Sequence, residues 1–373
     1  HAMIRLENLT KHYGPAHDPL IAVDNVSLDL PTGEICVLLG PSGCGKTTTM
    51  KMINRLIQPT GGKVFINGKD TSTVDPIELR RSIGYVIQQI GLFPNKTIEE
   101  NICVVPDLLG WDRRKSRDRA KELLELVGLQ PDLFLKRYPK ELSGGQQQRV
   151  GVLRALAADP PVMLMDEPFG AIDPINREVI QEEFLKMQRE IRKTIIFVSH
   201  DLDEAVKMAD KIAIFRSGKL EQYAAPDDLL ARPANSFIED FLGSDRALKR
   251  LRLVSVGDAM ETDFITVLET DSVEHARARI RSSRSAAAFV LDAEGAPRSV
   301  LSEQVAEACS GTVGDHAEPV KSTVPITGDL RQAVSVMFAH DMPLLPCIDE
   351  AGRLAGVMSY RSIVHHLGHG GKA

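Results

Sequence analysis

Ile35-Cys-Val-Leu-Leu39-Gly40-Pro-Ser-Gly-Cys-Gly-Lys46-Thr47 decides the fold. Five apolar residues in a row predict a strand buried on both faces, which in turn calls for helices on either side of a parallel sheet. The run stops at Gly40, and Gly-x4-Gly-Lys-Thr between a predicted strand and a predicted helix is the P-loop pattern. Its glycines let backbone N–H groups curl around phosphates at a helix N-terminus. Lys46 adds a point charge, and the Thr47 hydroxyl suits Mg2+. The candidate nucleotide site is therefore Gly40, Pro41, Ser42, Gly43, Cys44 and Gly45, with Lys46, Thr47 and Thr48 opening the helix. Cys44 lies inside this loop, so its alkylation is expected to block the nucleotide sterically; the other reading is an inert small filler, and the two are compatible.

Outward from that loop, short β-branched runs recur at Ile83 to Ile87, Val162 to Met165, Ile195 to Val198 and Ile212 to Phe215. Alternating with helical periodicity from Ile4 to about Phe241, they read as parallel α/β units. Between Ile98 and Ala158 the alternation lapses. Arg117 to Val127 carries Ala120, Leu123, Leu124 and Val127 at helical spacing and closes on Gly128, which predicts a helical insertion at roughly 96–158.

Two further stretches carry chemistry. Val162-Met-Leu-Met-Asp166-Glu167 is an apolar strand ending in two carboxylates. Beside a P-loop, Asp166 is placed to hold Mg2+ and Glu167 to polarise an attacking water. Leu142-Ser143-Gly144-Gly145-Gln146-Gln-Gln-Arg149 reads as a helix start, with Ser143 as cap and two glycines whose N–H groups stay open to an anion.

At this point the sequence resembles the ATP-binding cassette (ABC) ATPases, whose signature Leu142 to Arg149 matches, over about residues 3–240. Tyr13 falls where the family stacks adenine, Gln88 at the Q-loop, Ala171-Ile172-Asp173 at the D-loop and His200 at the switch histidine. The resemblance implies a RecA-like P-loop NTPase fold with a helical subdomain, and ATP with Mg2+ as its ligands. Glu167, His200 and Gln88 are then expected to be catalytic, and Thr47, Gln88 and Asp166 to hold the metal. Tyr13, the P-loop, Ser143, Gly144, Gly145, Gln146 and Asp173 are expected to hold the nucleotide. It also implies a head-to-tail homodimer, in which ATP on one P-loop is capped by Ser143 to Gly145 of the second copy.

Within the family, Gly84-Tyr-Val-Ile-Gln-Gln-Ile-Gly-Leu-Phe-Pro94 and Asp166-Glu-Pro-Phe-Gly-Ala-Ile-Asp-Pro174 resemble the osmoprotectant branch, which energises uptake of glycine betaine, choline or carnitine. That implies separate membrane permease subunits, served indirectly by a periplasmic or extracellular solute-binding protein. The subunit is then peripheral, at the cytoplasmic face of a bacterial-type membrane. Leu92 and Phe93 are suitable contacts with a permease helix, and each alone could equally be core. Lys46 and Ser143 are 97 residues apart, too close for the long coiled coil of DNA-repair relatives. The alternatives are an importer ATPase for another small solute, or a regulatory nucleotide switch with a ligand-sensing tail.

After Gly243 the pattern changes. Asp258-Ala-Met returns loosely as Asp315-His-Ala, and Asp292, Gly295 and Ser302 return as Asp349, Gly352 and Ser359, all at an offset of 57. The repeat resembles a pair of cystathionine-β-synthase (CBS) modules, an α+β tail that the osmoprotectant branch carries. The expected domains are 3–242 for the cassette and 252–368 for the tail, with its halves at about 252–308 and 309–368. CBS modules that hold adenosine ligands place an Asp three residues after a Ser or Thr. Here Val305 and Ser362 stand at those positions. The other reading of the tail is an ionic-strength sensor, with His275, Arg277, Arg279, Arg281 and Arg284 as a patch for anionic lipid headgroups. A solvated helix face is favoured over that patch, because the chain from 250 onward holds 12 basic against 16 acidic residues.

Composition sets the outer bounds. The chain has 373 residues, 43% hydrophobic and 26% charged, as folded multidomain proteins do. No run nears the roughly 18 apolar residues of a membrane span. A net charge of -6 lacks the basic excess that nucleic acid demands. Five scattered cysteines without a Cys-x-x-Cys pair fit a reducing cytoplasm. No charged and apolar leader precedes Met3, so no export is expected. His365, His366 and His369 are expected to fray with the C-terminus rather than bind metal.

Overall fold

The computed structural model describes residues 1–87, 91–170 and 172–368. They form two compact units, one of His1–Leu229 with Pro233–Phe241, the other of Leu230–Arg232 with the chain from Leu242 onward.

The first unit is built on a six-stranded sheet in the order Lys219–Ala224, Lys211–Arg216, Ile35–Leu39, Thr194–Val198, Val162–Asp166 and Ile83–Val86. All of its pairings are parallel except the hairpin of the first two strands. Every residue of Ile35–Leu39 and of Thr194–Val198 is buried, as strands covered on both faces must be. Register sets the next level of order. Leu38 pairs with Val198 and Val198 with Asp166, so the chain leaves three adjacent strands at one height. Ligands of open α/β sheets gather at this carboxyl edge.

The sequence reading of parallel units throughout is wrong at the start of the chain. Ala2–Tyr13 pairs antiparallel with both Leu20–Pro31 and Gly61–Ile66, in a separate four-stranded sheet closed by Lys69–Asp70. Its alternating buried and exposed positions are those of a sheet with one wet face. Ile4, Leu6, Val23, Val26 and Val64 from this sheet join Leu38, Met50, Leu164, Val198 and Phe215 in one apolar core. Between Ile83–Val86 and Val162–Asp166 the chain is helical, chiefly in Arg113–Leu126 and Gly144–Leu156. Arg113–Leu126 starts four residues before the predicted Arg117, and Gly128 follows it in the left-handed conformation.

The second unit repeats itself. The strands Ala287–Leu291 and Pro297–Ser302 recur as Leu344–Ile348 and Leu354–Ser359, and the helices starting at Val273 and Glu303 recur at Leu330 and Tyr360, all at the offset of 57. Hydrogen bonds follow the same rule. Val256 N donates to Gly328 O (2.8 Å) and Val313 N to Asp271 O (2.9 Å), while Gly257 N donates to Ile326 O (3.0 Å) and Gly314 N to Glu269 O (2.9 Å). These bonds relate two halves by a local two-fold in which each half donates its first short helix to the other. Val256 and Ala259 pack in the core of the second half, and Val313 in that of the first. The final helix, Tyr360–Gly368, includes His365 and His366, which therefore do not fray as expected; His369 lies outside the described residues.

Candidate active site

The loop after Leu39 is shaped by close backbone contact. Gly40 has φ 149°, and a Cβ there would lie 2.3 Å from the carbonyl oxygen of Phe215; Gly45 has φ 99°, and its Cβ would lie 2.6 Å from that of Ala22. Gly45 caps the helix Lys46–Ile53 without any side-chain hydrogen bond, so the first helical N–H groups point into the loop uncapped. An anion fits this cradle. Lys46 is 7% exposed, and its Nζ donates to Gly40 O (2.7 Å) and Ser199 O (3.2 Å). Pro41, Ser42 and Gly43 are exposed at the mouth; Thr47 and Thr48 are half-buried in the first turn. Cys44 is buried, and burial pushes its thiol above the usual range despite Lys46. Burial and a raised thiol fit the reading of Cys44 as an inert small filler of the loop.

Asp166 ends its strand half-buried. Burial first, then the charge of Glu167, raises its carboxyl above the usual range, against the pull of Lys51 and Lys46. A divalent cation would offset that cost, so the residue fits a metal ligand. Glu167 takes φ 43°, a left-handed conformation uncommon outside glycine, and its N–H donates to Val198 O at 2.9 Å. The turn brings its Oε1 to 3.1 Å from Nδ1 of His200, whose side chain is 69% exposed. A carboxylate and an imidazole thus meet at the carboxyl edge, next to the lysine-bearing loop. Gln88, the third expected catalytic residue, lies outside the described residues, as does Ala171 of the D-loop.

Ser143 caps Gly144–Leu156 in a capping box: Gln146 N donates to Ser143 Oγ (3.2 Å), and Ser143 N donates to Gln146 Oε1 (3.0 Å). The box uses the third helical N–H and leaves those of Gly144 and Gly145 without a side-chain cap. Among the described residues no hydrogen bond joins this tip to the P-loop of the same chain. Asp173 caps Pro174–Ile191, and Asn176, through its side chain and then its backbone amide, holds the Asp173 carboxyl below the usual range. Tyr13 is 41% exposed at the end of its strand, paired with Leu20, two residues from the Ala22 that abuts Gly45.

Sequence reasoning missed the braces. Gly218 N donates to Cys44 O (2.9 Å), and Gly218 O accepts from Asp24 N (2.8 Å), so the Ser217-Gly218 turn supports the P-loop from a distant strand pair. The local signal that could have found it is this Ser-Gly pair just after the predicted strand Ile212 to Phe215. For Leu92 and Phe93 the sequence left a permease contact and a core position equally open. Leu92 is 9% exposed and belongs to the core, whereas Phe93 is 43% exposed.

In the tail, the serines and basic residues singled out in the sequence are bound into local structure. Ser302 and Ser359 cap helices, accepting from Val305 N (3.3 Å) and Ser362 N (3.1 Å), and Ser362 is buried on Ser359. The five-residue basic patch is largely consumed. Arg277 donates to Ala306 O and Cys309 O (both 2.8 Å), Arg279 to Thr266 O, and Arg281 forms a two-point pair with Glu307.

Known proteins agree with this geometry. The ABC transporter family profile matches residues 23–170, and the CBS domain profile matches 256–304. The osmoprotectant import ATP-binding protein OsmV of Salmonella typhimurium is 53% identical over 99% of this chain and 97% of its own length. The chain belongs to the osmoprotectant-importer family of ABC ATP-binding subunits. The glycine betaine/carnitine/choline transport ATP-binding protein OpuCA of Bacillus subtilis is 45% identical to this ABC subunit over 97% of the chain and 95% of its own length. A dimeric ATP-binding cassette solved in a post-hydrolysis state with ADP and Pi superposes with a TM-score of 0.52 at 37% identity, covering 60% of this subunit and 98% of that chain. The ABC subunit is thus an ATP-binding ATPase of a P-loop fold followed by a CBS tail. Among its described residues, no helix is long and apolar enough to cross a membrane.

Proposed function

We propose that this subunit hydrolyses ATP to drive import of a quaternary-ammonium osmoprotectant of the glycine betaine, choline or carnitine type through separate membrane subunits. The observation that carries the ATPase half is the shared height of Leu38, Val198 and Asp166 in three paired strands, from which the chain leaves for Gly40, Ser199 and Glu167 at one edge of the sheet, with Glu167 and His200 3.1 Å apart. The full-length likeness to OsmV and OpuCA supports the solute class.

In this reading the P-loop amides and Lys46 bind the β- and γ-phosphates and Tyr13 stacks on adenine. Thr47, Asp166 and Gln88 would hold Mg2+, which would supply neutralisation of phosphate charge. Glu167 orients water for attack. His200 holds Glu167 and faces the γ-phosphate. Ser143, Gly144, Gly145, Gln146 and Asp173 act on the nucleotide of a second copy in a head-to-tail dimer, which suits their separation from the P-loop in one chain. A cavity of about 370 Å³ lined by Tyr85, Ile87, Phe93, Val104, Val105 and Arg154 is the seat we assign to a permease helix. The subunit would then sit at the cytoplasmic face of the membrane, with a solute-binding protein acting on the far side. The domain bounds we assign are 3–242, with its helical part at about 96–158, and 252–368.

The test is reconstitution of the whole transporter in anionic liposomes, with ATP turnover followed for glycine betaine, choline and carnitine across ionic strengths. Stimulation by at least one of the three is expected. Turnover that none of them raises would overturn the solute class and leave the ATPase chemistry intact.

A further inference from the structure

His200 is well exposed, so its own packing does little to fix it. Its neighbours are anchored instead. Ser199, 1% exposed, receives Lys46 Nζ on its carbonyl (3.2 Å), donates its N–H to Leu38 O (3.1 Å), and accepts Asp201 N on its hydroxyl (3.1 Å). That hydroxyl in turn donates to Oε1 of Glu204 at 2.8 Å, and Oε2 of Glu204 accepts from Gln181 Nε2 at 2.7 Å. Glu204 and Gln181 are 9% and 5% exposed. Gln181 lies on Pro174–Ile191, the helix that Asp173 caps, and on the same helix Arg177 donates to Ile172 O (2.8 Å), in the segment leading into Asp173.

A buried carboxylate costs free energy unless its acceptors are used, and here burial does raise the Glu204 carboxyl above its usual range, against the pull of Ser199, Arg177 and Gln181. An apolar residue would fill the site more cheaply. What a carboxylate adds is a rigid two-ended acceptor between two elements distant in sequence.

We propose that Glu204 is a positioning residue for ATP hydrolysis, bridging Ser199 and Gln181 so that His200 and the Asp173 helix keep a fixed relation. It rests on the reading of His200 given above. Without the bridge, the Ser199 hydroxyl and the Gln181 amide each lose a buried partner, and the strand end that presents His200 gains freedom. Misplacement of a reacting group by about 1 Å costs on the order of 100-fold in rate without an equal loss in binding.

The experiment measures ATP turnover and nucleotide affinity of the full-length chain as wild type, Glu204→Ala, Glu204→Gln, Ser199→Ala, Gln181→Ala and the Ser199→Ala/Gln181→Ala pair, with thermal unfolding of each. Glu204→Ala is expected to lower kcat by ~10- to 100-fold while KM for ATP stays within about twofold. Glu204→Gln should restore most of the rate, since a carboxamide accepts from Ser199 and donates to a rotated Gln181 amide. The two outer substitutions should be non-additive in kcat, because each breaks the same bridge. Unchanged turnover in Glu204→Ala overturns the proposal, as does a rate loss matched by loss of folded protein, or a Gln variant no better than Ala. His200→Ala separates the layers. If it keeps wild-type turnover, the reading of His200 fails; if it is inactive while Glu204→Ala is not, only the bridge fails.

Discussion

Replacing Gly45 by Ala tests whether the P-loop is held by backbone contact rather than by side chains. The new Cβ would meet Ala22 O at 2.6 Å and both Gly218 Cα and Val23 Cγ2 at 3.4 Å, so the loop and the strand Leu20–Pro31 must part by at least ~0.4 Å to reach the 3.0 Å floor of real Cβ contacts. At φ 99° an alanine also carries the left-handed penalty of about 1–2 kcal/mol. The backbone penalty alone lowers the melting temperature of this unit by about 2–8 °C at 2–4 °C per kcal/mol, and the close contact adds to that. The displacement falls on the N–H groups that face the phosphates. Loss of one charge-assisted bond, about 1.5–3 kcal/mol, weakens ATP by ~10- to 100-fold. The assay is titration of the folded full-length chain with a fluorescent ATP analogue. Gly110→Ala is the control, since Gly110 has φ 76° with no atom within 4 Å of its would-be Cβ, so stability falls with no change in affinity. A folded Gly45→Ala that binds within about twofold of wild type, or a Gly110→Ala that binds as weakly as it does, refutes the reasoning.

Two other outcomes follow from the same contacts. Glu167→Gln keeps the side-chain volume and the contact with His200 but cannot take a proton from water, so turnover should nearly vanish and the chain should run as a dimer on a sizing column with saturating ATP; a persistent monomer there would contradict the two-copy site. Asp159 ends up below the usual carboxylate range, first through its hydrogen bond from Lys193, and it sits in a left-handed conformation that Asn tolerates. Its folded pKa being depressed, its contribution is present above the unfolded value and lost as pH falls through the folded one, so Asp159→Asn should be less stable than wild type near neutrality and equal to it in strong acid. Urea melts across that range check this, and a pH-independent gap would show that the ion pair is not the cause.

How far the sequence could be read depended on how local each interaction is. Gly40 to Thr47, Asp166-Glu167 and Ser143 to Gln146 are each a few consecutive residues whose backbone or charges act together, so spacing alone exposes them. The tail's repeat was visible for the same reason, since each half carries its own turn and cap residues at fixed positions, and the structure places its elements 57 residues apart. Burial was less legible. Leu92 and Phe93 are adjacent and chemically alike, yet one joins the core and the other lines the cavity near Arg154. Arg277 and Arg281 were read as a solvated helix face or, less favoured, a lipid-binding patch, and neither reading named the carbonyls and Glu307 that the folded chain supplies as their partners.

The sequence by itself determined the phosphate cradle, the acidic strand end, the capped signature helix and the doubled tail, because those features are written in contiguous residues. Only the tertiary structure decided the antiparallel pairing that sets Ala22 against Gly45, the strand register that levels Leu38, Val198 and Asp166, and the Glu204 bridge from Ser199 to Gln181. Ala22 and Gly45 lie 23 residues apart, Gln181 and Glu204 also 23, and Leu38 and Val198 160. Contacts of that span are selected by the packing of the whole core, and no window of sequence contains both sides of them.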